Sequence, residues 1–269
     1  MAFGKDERFQ IVTAGAERSG KTYFTAKFAE KYAGSGAVMV YNPGNPRRDF
    51  TEYQVLDFLP VAQSVEVLGI PAVPKHRSPE QEILLRSVKF APTFLHFRLN
   101  DKVYSVENLN AVLYRNRRTK VFRQSSLIDE GKFFKTIHDF CSGLLLINDD
   151  FRSVARNMSD QRLSALLELY STKNHCGKLA AWKPKRQGVD IINIFHHPDK
   201  VNAEIYDYTT HVLLFNITRA IRGNTIDNDD AKAAMIAAHV QLKKAPRYSC
   251  ARIDLRGEDS YKFKIIKPQ

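Results

Sequence analysis

Lys21 and Thr22 close the run Gly15-Ala16-Glu17-Arg18-Ser19-Gly20-Lys21-Thr22, a G-x-x-x-x-G-K-[ST] loop whose chemistry is the holding of phosphate. Gly15 and Gly20 let the backbone turn and approach a ligand, so that successive N–H groups and the start of the next helix converge on a β-phosphate. Lys21 brings a point charge to the β- and γ-oxygens, Thr22 a hydroxyl for Mg2+, and Tyr23 completes the stretch expected against the nucleotide. Binding alone is not turnover: hydrolysis also needs a carboxylate for the metal and a group that positions the attacking water. Asp149 and Asp150 fit those roles in that order, because they follow Leu144-Leu145-Leu146-Ile147, the most apolar run of the chain. A frame shifted by one would put Asn148 at the metal, where an amide is a poor substitute for a carboxylate. Asp129-Glu130 is a rival pair, more simply read as acids at a helix N-terminus.

These groups need elements to position them. Phe9 to Ala14 reads as a strand entering the loop, and Phe24, Phe28 and Tyr32 recur every fourth residue as the stripe of a helix leaving it, closed by Gly34. Ala37 to Tyr41 is a second strand, ended by Asn42-Pro43-Gly44-Asn45-Pro46. Further strands are Leu144 to Ile147, Val189 to Phe195 and His211 to Phe215, with helices at Phe133 to Phe140, Leu163 to Tyr170 and Val201 to Tyr208. The alternation predicts an α/β fold with a doubly wound, mostly parallel sheet in a single domain. Residues 45–125 read as an insertion with a hairpin turning at Asn100-Asp101 and a helix near Val106 to Arg115. Asp227 reads as the N-cap of a long helix to Lys244, and Tyr248 to Ile266 as a two-stranded close about Gly257.

Composition narrows the class. Forty-one Lys and Arg against 29 acids give +12 at neutral pH, an excess that favours a polyanionic partner, nucleic acid first. Two segments concentrate it: Arg115, Arg117, Arg118, Lys120 and Arg123 with Tyr114 and Phe122 interleaved, and Lys178, Lys183, Lys185 and Arg186 around Trp182. Cations suit backbone phosphates and aromatics stack on bases, a grip without sequence readout; solvated loops or subunit contacts are the alternative. No apolar run is long enough for a membrane helix, and the three scattered cysteines suit a reducing compartment. With no apolar stretch behind a basic start, the expectation is a chain that is not secreted.

The order of phosphate loop, apolar strand ending in two acids, Arg186 before a short strand, His196-His197 after it, then a helix and Asp207-Tyr208-Thr209-Thr210-His211-Val212-Leu213-Leu214-Phe215, resembles the FtsK/HerA superfamily of DNA-pumping ATPases. The resemblance covers residues 8–22 and 143–217. Within that superfamily, size and the lack of a membrane segment are similar to viral genome-packaging ATPases. It implies a RecA-like P-loop fold and ATP with Mg2+ as cofactors, the choice over GTP being supported by the lack of an N-K-x-D guanine motif. It implies Lys21 and Thr22 as the Walker A pair, Asp149 and Asp150 as Walker B, His197 as polar sensor, and Arg186 as an arginine finger offered to a neighbouring subunit, with Arg152 and Arg156 as alternatives. DNA, further copies of the chain in a pentameric or hexameric ring, and a capsid vertex are the implied partners, in host cytoplasm or virion. The chain departs from the family in Asp150, where Glu is commoner, and His197, where Gln is usual. A zonula occludens toxin-like phage assembly ATPase and a P-loop kinase are the competing functions.

Overall fold

The computed structural model describes residues 8–42, 53–116, 122–124, 128–149, 160–223, 226–256 and 260–267. Apolar, β-branched runs form the strands β1 (Gln10–Ala14), β2 (Ala37–Tyr41), β3 (Gln54–Phe58), β4 (His96–Leu99), β5 (Lys102–Ser105), β6 (Phe122–Gln124), β7 (Leu144–Asn148), β8 (Val189–Phe195), β9 (His211–Phe215), β10 (Cys250–Asp254) and β11 (Phe263–Ile266). Among the described residues they join in one sheet of order β11-β10-β9-β1-β8-β7-β2-β6-β3-β4-β5. From β9 to β3 the neighbours run parallel, and each margin is finished by antiparallel strands. The central strands β1, β2, β7 and β8 are buried along their whole length, as a sheet covered on both faces requires.

The helices are α1 (Lys21–Ala33), α2 (Val61–Val67), α3 (Pro79–Phe90), α4 (Leu109–Asn116), α5 (Glu130–Phe140), α6 (Asp160–Ser171), α7 (Ala203–Tyr208) and α8 (Asp229–Leu242). Side-chain alternation divides the core into two. Leu145, Ile147, Ile192 and Ile194 pack on one face with Ala26 and Ala29 of α1; Leu144, Leu146, Val189 and Ile191 pack on the other with α4 to α8. The sheet is therefore wound on both faces, as expected. The connection from β1 through α1 to β2 passes over β8 and β7, so α1 lies across the strands that end in the candidate acidic site.

Some local expectations shift. The strands of residues 54–124 extend the same sheet at one margin, and only α2 and α3 form a small core of their own, with Val65, Ile70, Leu85 and Val88 buried between them. Asn100 and Asp101 make the expected hairpin turn, both with positive φ. The C-terminal helix starts one residue later than predicted: Asn228, not Asp227, is its N-cap, with its side chain accepting from the Ala231 N–H. The turn at Pro43 to Pro46 lies outside the described residues.

Candidate functional site

Residues 15–20 link the end of β1 to α1 at the carboxyl edge of the sheet. The loop is anchored on both neighbouring strands: Gly15 N–H donates to the Phe195 carbonyl at 3.2 Å and Ala16 N–H to the Asn216 carbonyl at 3.0 Å. A Cβ on Gly15 would stand 2.6 Å from Phe215 Cβ, and Gly20 has φ 94°, so both positions need glycine. Arg18, also left-handed at φ 57°, helps curl the amides into a concave arc. At the start of α1, Gly20 supplies no side-chain cap and the first turn holds no acid, which leaves the helix N-terminus electrostatically fit for an anion. Lys21 is buried, and its ammonium donates to the Ala16 carbonyl at 3.0 Å across the mouth of the loop. Thr22 is buried beside it, whereas the Tyr23 side chain is 61% exposed on the outer face of α1, so of Tyr23 only the backbone belongs to the cradle.

Parallel pairing levels Ala14 with Phe195, and Asn148 with Asn193. β8 thus stands between β1 and β7; the acidic strand is not the immediate neighbour of the loop strand but two places away, about 10 Å across the sheet. Alternation decides which acid-site residue faces α1. Leu145 and Ile147 belong to the α1 face, and Asp149 continues that row; Asn42, after Val38 and Val40, continues it on β2. The Asn42 amide donates to Asp149 Oδ2 at 3.0 Å, and the Asp149 N–H extends the strand pairing to the Tyr41 carbonyl. Asn148 points to the opposite face, where its amide donates to Asn193 Oδ1, which also accepts from the Tyr170 hydroxyl at 2.8 Å. The frame with Asp149 turned toward α1 is therefore the one the pleat produces. Asp150 lies outside the described residues. The rival Asp129 caps α5, accepting from the Lys132 N–H, and Glu130 accepts from the Tyr41 hydroxyl at 2.8 Å, so both serve the helix and core.

Among the described residues, the Thr22 hydroxyl on the loop and the Asp149 carboxylate after β7 are hard oxygen donors of the kind a metal at the loop would take. Two hard oxygen ligands completed by phosphate oxygens and water suit Mg2+ rather than a metal with a full protein cage, and among the described residues no cluster of three His, Cys, Asp or Glu side chains is present.

The architecture is a doubly wound, mostly parallel α/β sheet with the G-x-x-x-x-G-K-T loop at the carboxyl end of β1. No protein-family model matches the chain, and no curated protein sequence matches it. Among solved structures, the genome packaging NTPase B204 from Sulfolobus turreted icosahedral virus 2, in complex with ATP-gammaS, is similar at 13% identity over 97% of this chain and 98% of that one, with a TM-score of 0.49. The DNA-packaging ATPase B204 from Sulfolobus Turreted Icosahedral Virus is similar at 14% identity over 98% and 99%, with the same TM-score. Identities this low carry no information about activity, which has to come from the site itself.

The remaining predicted residues are not all brought to the loop. His197 follows β8 at the carboxyl edge, but its ring is engaged locally: Nδ1 accepts from the Asp199 N–H at 3.2 Å and Nε2 lies 3.5 Å from the Arg219 carbonyl. His239 of α8 feels its charge: the His239 pKa is lowered by burial first and then by Lys243 and His197. Arg186 stands at the opposite, amino edge of the sheet. It pairs at 3.2 Å with Asp190, a fully buried carboxylate that also accepts from Arg8, the Tyr32 hydroxyl and the Phe9 N–H. Desolvation, then the charge and hydrogen bond of Asp190, raises the Tyr32 pKa.

The two basic segments meet at that amino edge. Trp182 packs edge-to-face on Tyr114 with ring centroids 4.9 Å apart, and its carbonyl accepts from the Asn110 amide at 3.0 Å. Arg115, Lys178, Lys183 and Lys185 are exposed around Trp182, itself 43% exposed. Arg117, Arg118 and Lys120 lie outside the described residues, as does the side chain of Arg123. Asn42, the donor to Asp149, is a site residue that sequence reasoning missed by reading it only as part of a turn; the alternation of Val38, Val40 and Asn42 was the signal.

Proposed function

We propose that the chain is an ATP-hydrolysing DNA translocase, acting as a ring of identical subunits in the manner of viral genome-packaging ATPases. The observation that carries the hydrolytic part is Asp149: a fully buried carboxylate, held by Asn42, on the same face as the α1 N-terminus and at the same sheet edge as Lys21. A phosphate-binding turn that only stores an anion has no use for a buried acid so placed. In this reading Thr22 and Asp149 hold Mg2+, which when bound neutralises developing charge on the phosphates. Lys21 leaves the Ala16 carbonyl for the phosphate oxygens, the loop amides bind the β-phosphate, and Asp150 orients water. With the end of α1 and its buried stripe covering β7 and β8, the acid sits where bulk water is excluded and its field is strong.

The DNA part is supported by the +12 charge and by the joining of two basic segments around an exposed tryptophan, which suits phosphate neutralisation combined with stacking. Arg186 stands about 20 Å from its own phosphate loop along β8, so the site it could serve is that of a neighbouring copy. The test is the ATPase rate with and without DNA over a range of protein concentrations, beside an Asp149→Asn variant. Stimulation by DNA, a specific rate that rises as subunits assemble, and its loss in the variant are expected. A rate indifferent to both DNA and concentration would sink the translocase reading.

A further inference from the structure

The proposed triphosphate site has a direction. Asp149 lies on the β8-β7 side of the loop strand, so a triphosphate with its terminal group toward that acid must lead its nucleoside the other way, over β9. A cavity of about 380 Å³ opens there, between loop residues 16–19, residues 216–218 that follow β9, and residues 245–249 that join α8 to β10. Its size lies in the lower part of the range for small-molecule pockets.

Tyr248 dominates this cavity. Its backbone is left-handed at φ 68°, a conformation an aromatic residue rarely holds, and its ring is 49% exposed. The ring packs on the phosphate loop closely enough that a Cβ on Gly20 would lie 3.0 Å from Cδ1, and the Arg247 guanidinium sits 4.8 Å from the ring centroid. An exposed aromatic stacked with a guanidinium is a platform for a flat heterocycle. Two hydroxyls on the cavity walls point to a ligand independently: Oγ of Ser249, a residue only 3% exposed, and the buried Oγ of Ser19 have no hydrogen-bond partner among the described residues. Buried hydroxyls without partners are costly, and a polar ligand would satisfy them.

We propose that this cavity receives the base and sugar of the nucleotide, with Tyr248 and Arg247 as the stacking platform and Ser19 and Ser249 as hydrogen-bonding groups. The assignment rests on the triphosphate reading of the loop. It is tested by calorimetric titration of Mg2+-ATP and of Mg2+-tripolyphosphate, which offers the phosphates without a base, into the unmodified chain, Tyr248→Ala, Tyr248→Phe and Lys21→Ala. Tyr248→Ala is expected to weaken ATP about tenfold or more and leave tripolyphosphate unchanged, with Tyr248→Phe close to the unmodified chain. Equal affinity for ATP in Tyr248→Ala, or equal weakening of both ligands, would overturn the pocket while Lys21→Ala, losing both ligands, kept the loop. An unmodified chain that bound neither ligand would overturn the loop reading and the pocket with it.

Discussion

Replacing Arg186 by alanine separates a catalytic role from a structural one, because the ion cluster at the amino edge sets the two costs apart. Asp190 accepts four donors: Phe9 N–H on Oδ1 at 3.0 Å, and Arg8 at 3.0 Å, Tyr32 at 2.6 Å and Arg186 at 3.2 Å on Oδ2. Arg8 is 4% exposed and Arg186 39%, so Arg8 is the desolvated counter-charge and Arg186 the wet one. Arg186→Ala should cost the fold only about 1–2 kcal/mol, a partly screened ion pair plus its contact with the Tyr32 ring 5.8 Å away. Arg8→Ala strands a buried carboxylate and should cost about 3–5 kcal/mol. If Arg186 reaches into a neighbour's site, the same mild variant should lose about a thousandfold or more in turnover of the assembled protein. Urea melts give the first quantity and DNA-stimulated ATPase rates the second. Mixing Arg186→Ala with Lys21→Ala subunits should restore part of the rate, since a mixed pair contains one intact loop facing one intact arginine. An Arg186→Ala protein that keeps more than a tenth of the rate refutes the trans role, and one destabilised as much as Arg8→Ala refutes the ranking of the two arginines.

Asp149→Asn keeps shape and removes charge, so ATPase should fall at least about a hundredfold, and ATP affinity measured with and without Mg2+ should converge; persistence of the Mg2+ effect would count against Asp149 as a ligand. Asn42→Ala removes a hydrogen bond to a buried carboxylate, typically worth about 1.5–3 kcal/mol, and should lower turnover roughly ten- to a hundredfold at saturating ATP; an unchanged turnover number would remove Asn42 from the site. Trp182→Ala should weaken DNA binding without altering its salt dependence, whereas Lys183→Ala with Lys185→Ala should flatten the plot of log affinity against log salt; the reverse pattern would mean that the tryptophan only packs on Tyr114. Burial and the Arg252 charge lower the His211 pKa to about 4, against the pull of Asp254. The unfolded chain then binds a proton first as pH falls, so this contribution to stability is complete above about 6.5 and is lost progressively toward 4. The acid limb of the unfolding free energy should flatten in His211→Asn, and a limb parallel to that of the unmodified chain would refute the linkage.

The phosphate loop was legible in the sequence because its eight residues are contiguous and its strand and helix flank it directly. The place of Asp149 at the end of β7 was legible through the apolar run before it, and the pleat turns it to the α1 face and Asn148 to the other. Strand order was not legible: that β8 separates β1 from β7 depends on pairings between residues far apart in the chain, which no local pattern encodes. The same is true of Asn42, whose partner lies 107 residues away, and of Tyr114 and Trp182, whose contact turns two separate basic segments into one surface. His197 illustrates the opposite limit. The family resemblance implied a sensor there, whereas the partners of its ring, the Asp199 N–H and the Arg219 carbonyl, are not specified by the local spacing.

The phosphate loop and the tryptophan-centred basic surface lie at opposite edges of the same sheet. A parallel sheet of buried strands is a stiff plate, and its ends cannot approach one another without unfolding. In a ring translocase of the kind proposed, displacement of a gripped polymer would therefore come from tilting of the whole plate against its neighbours, with the stroke length set by the pivot between subunits and not by the excursion of any one loop.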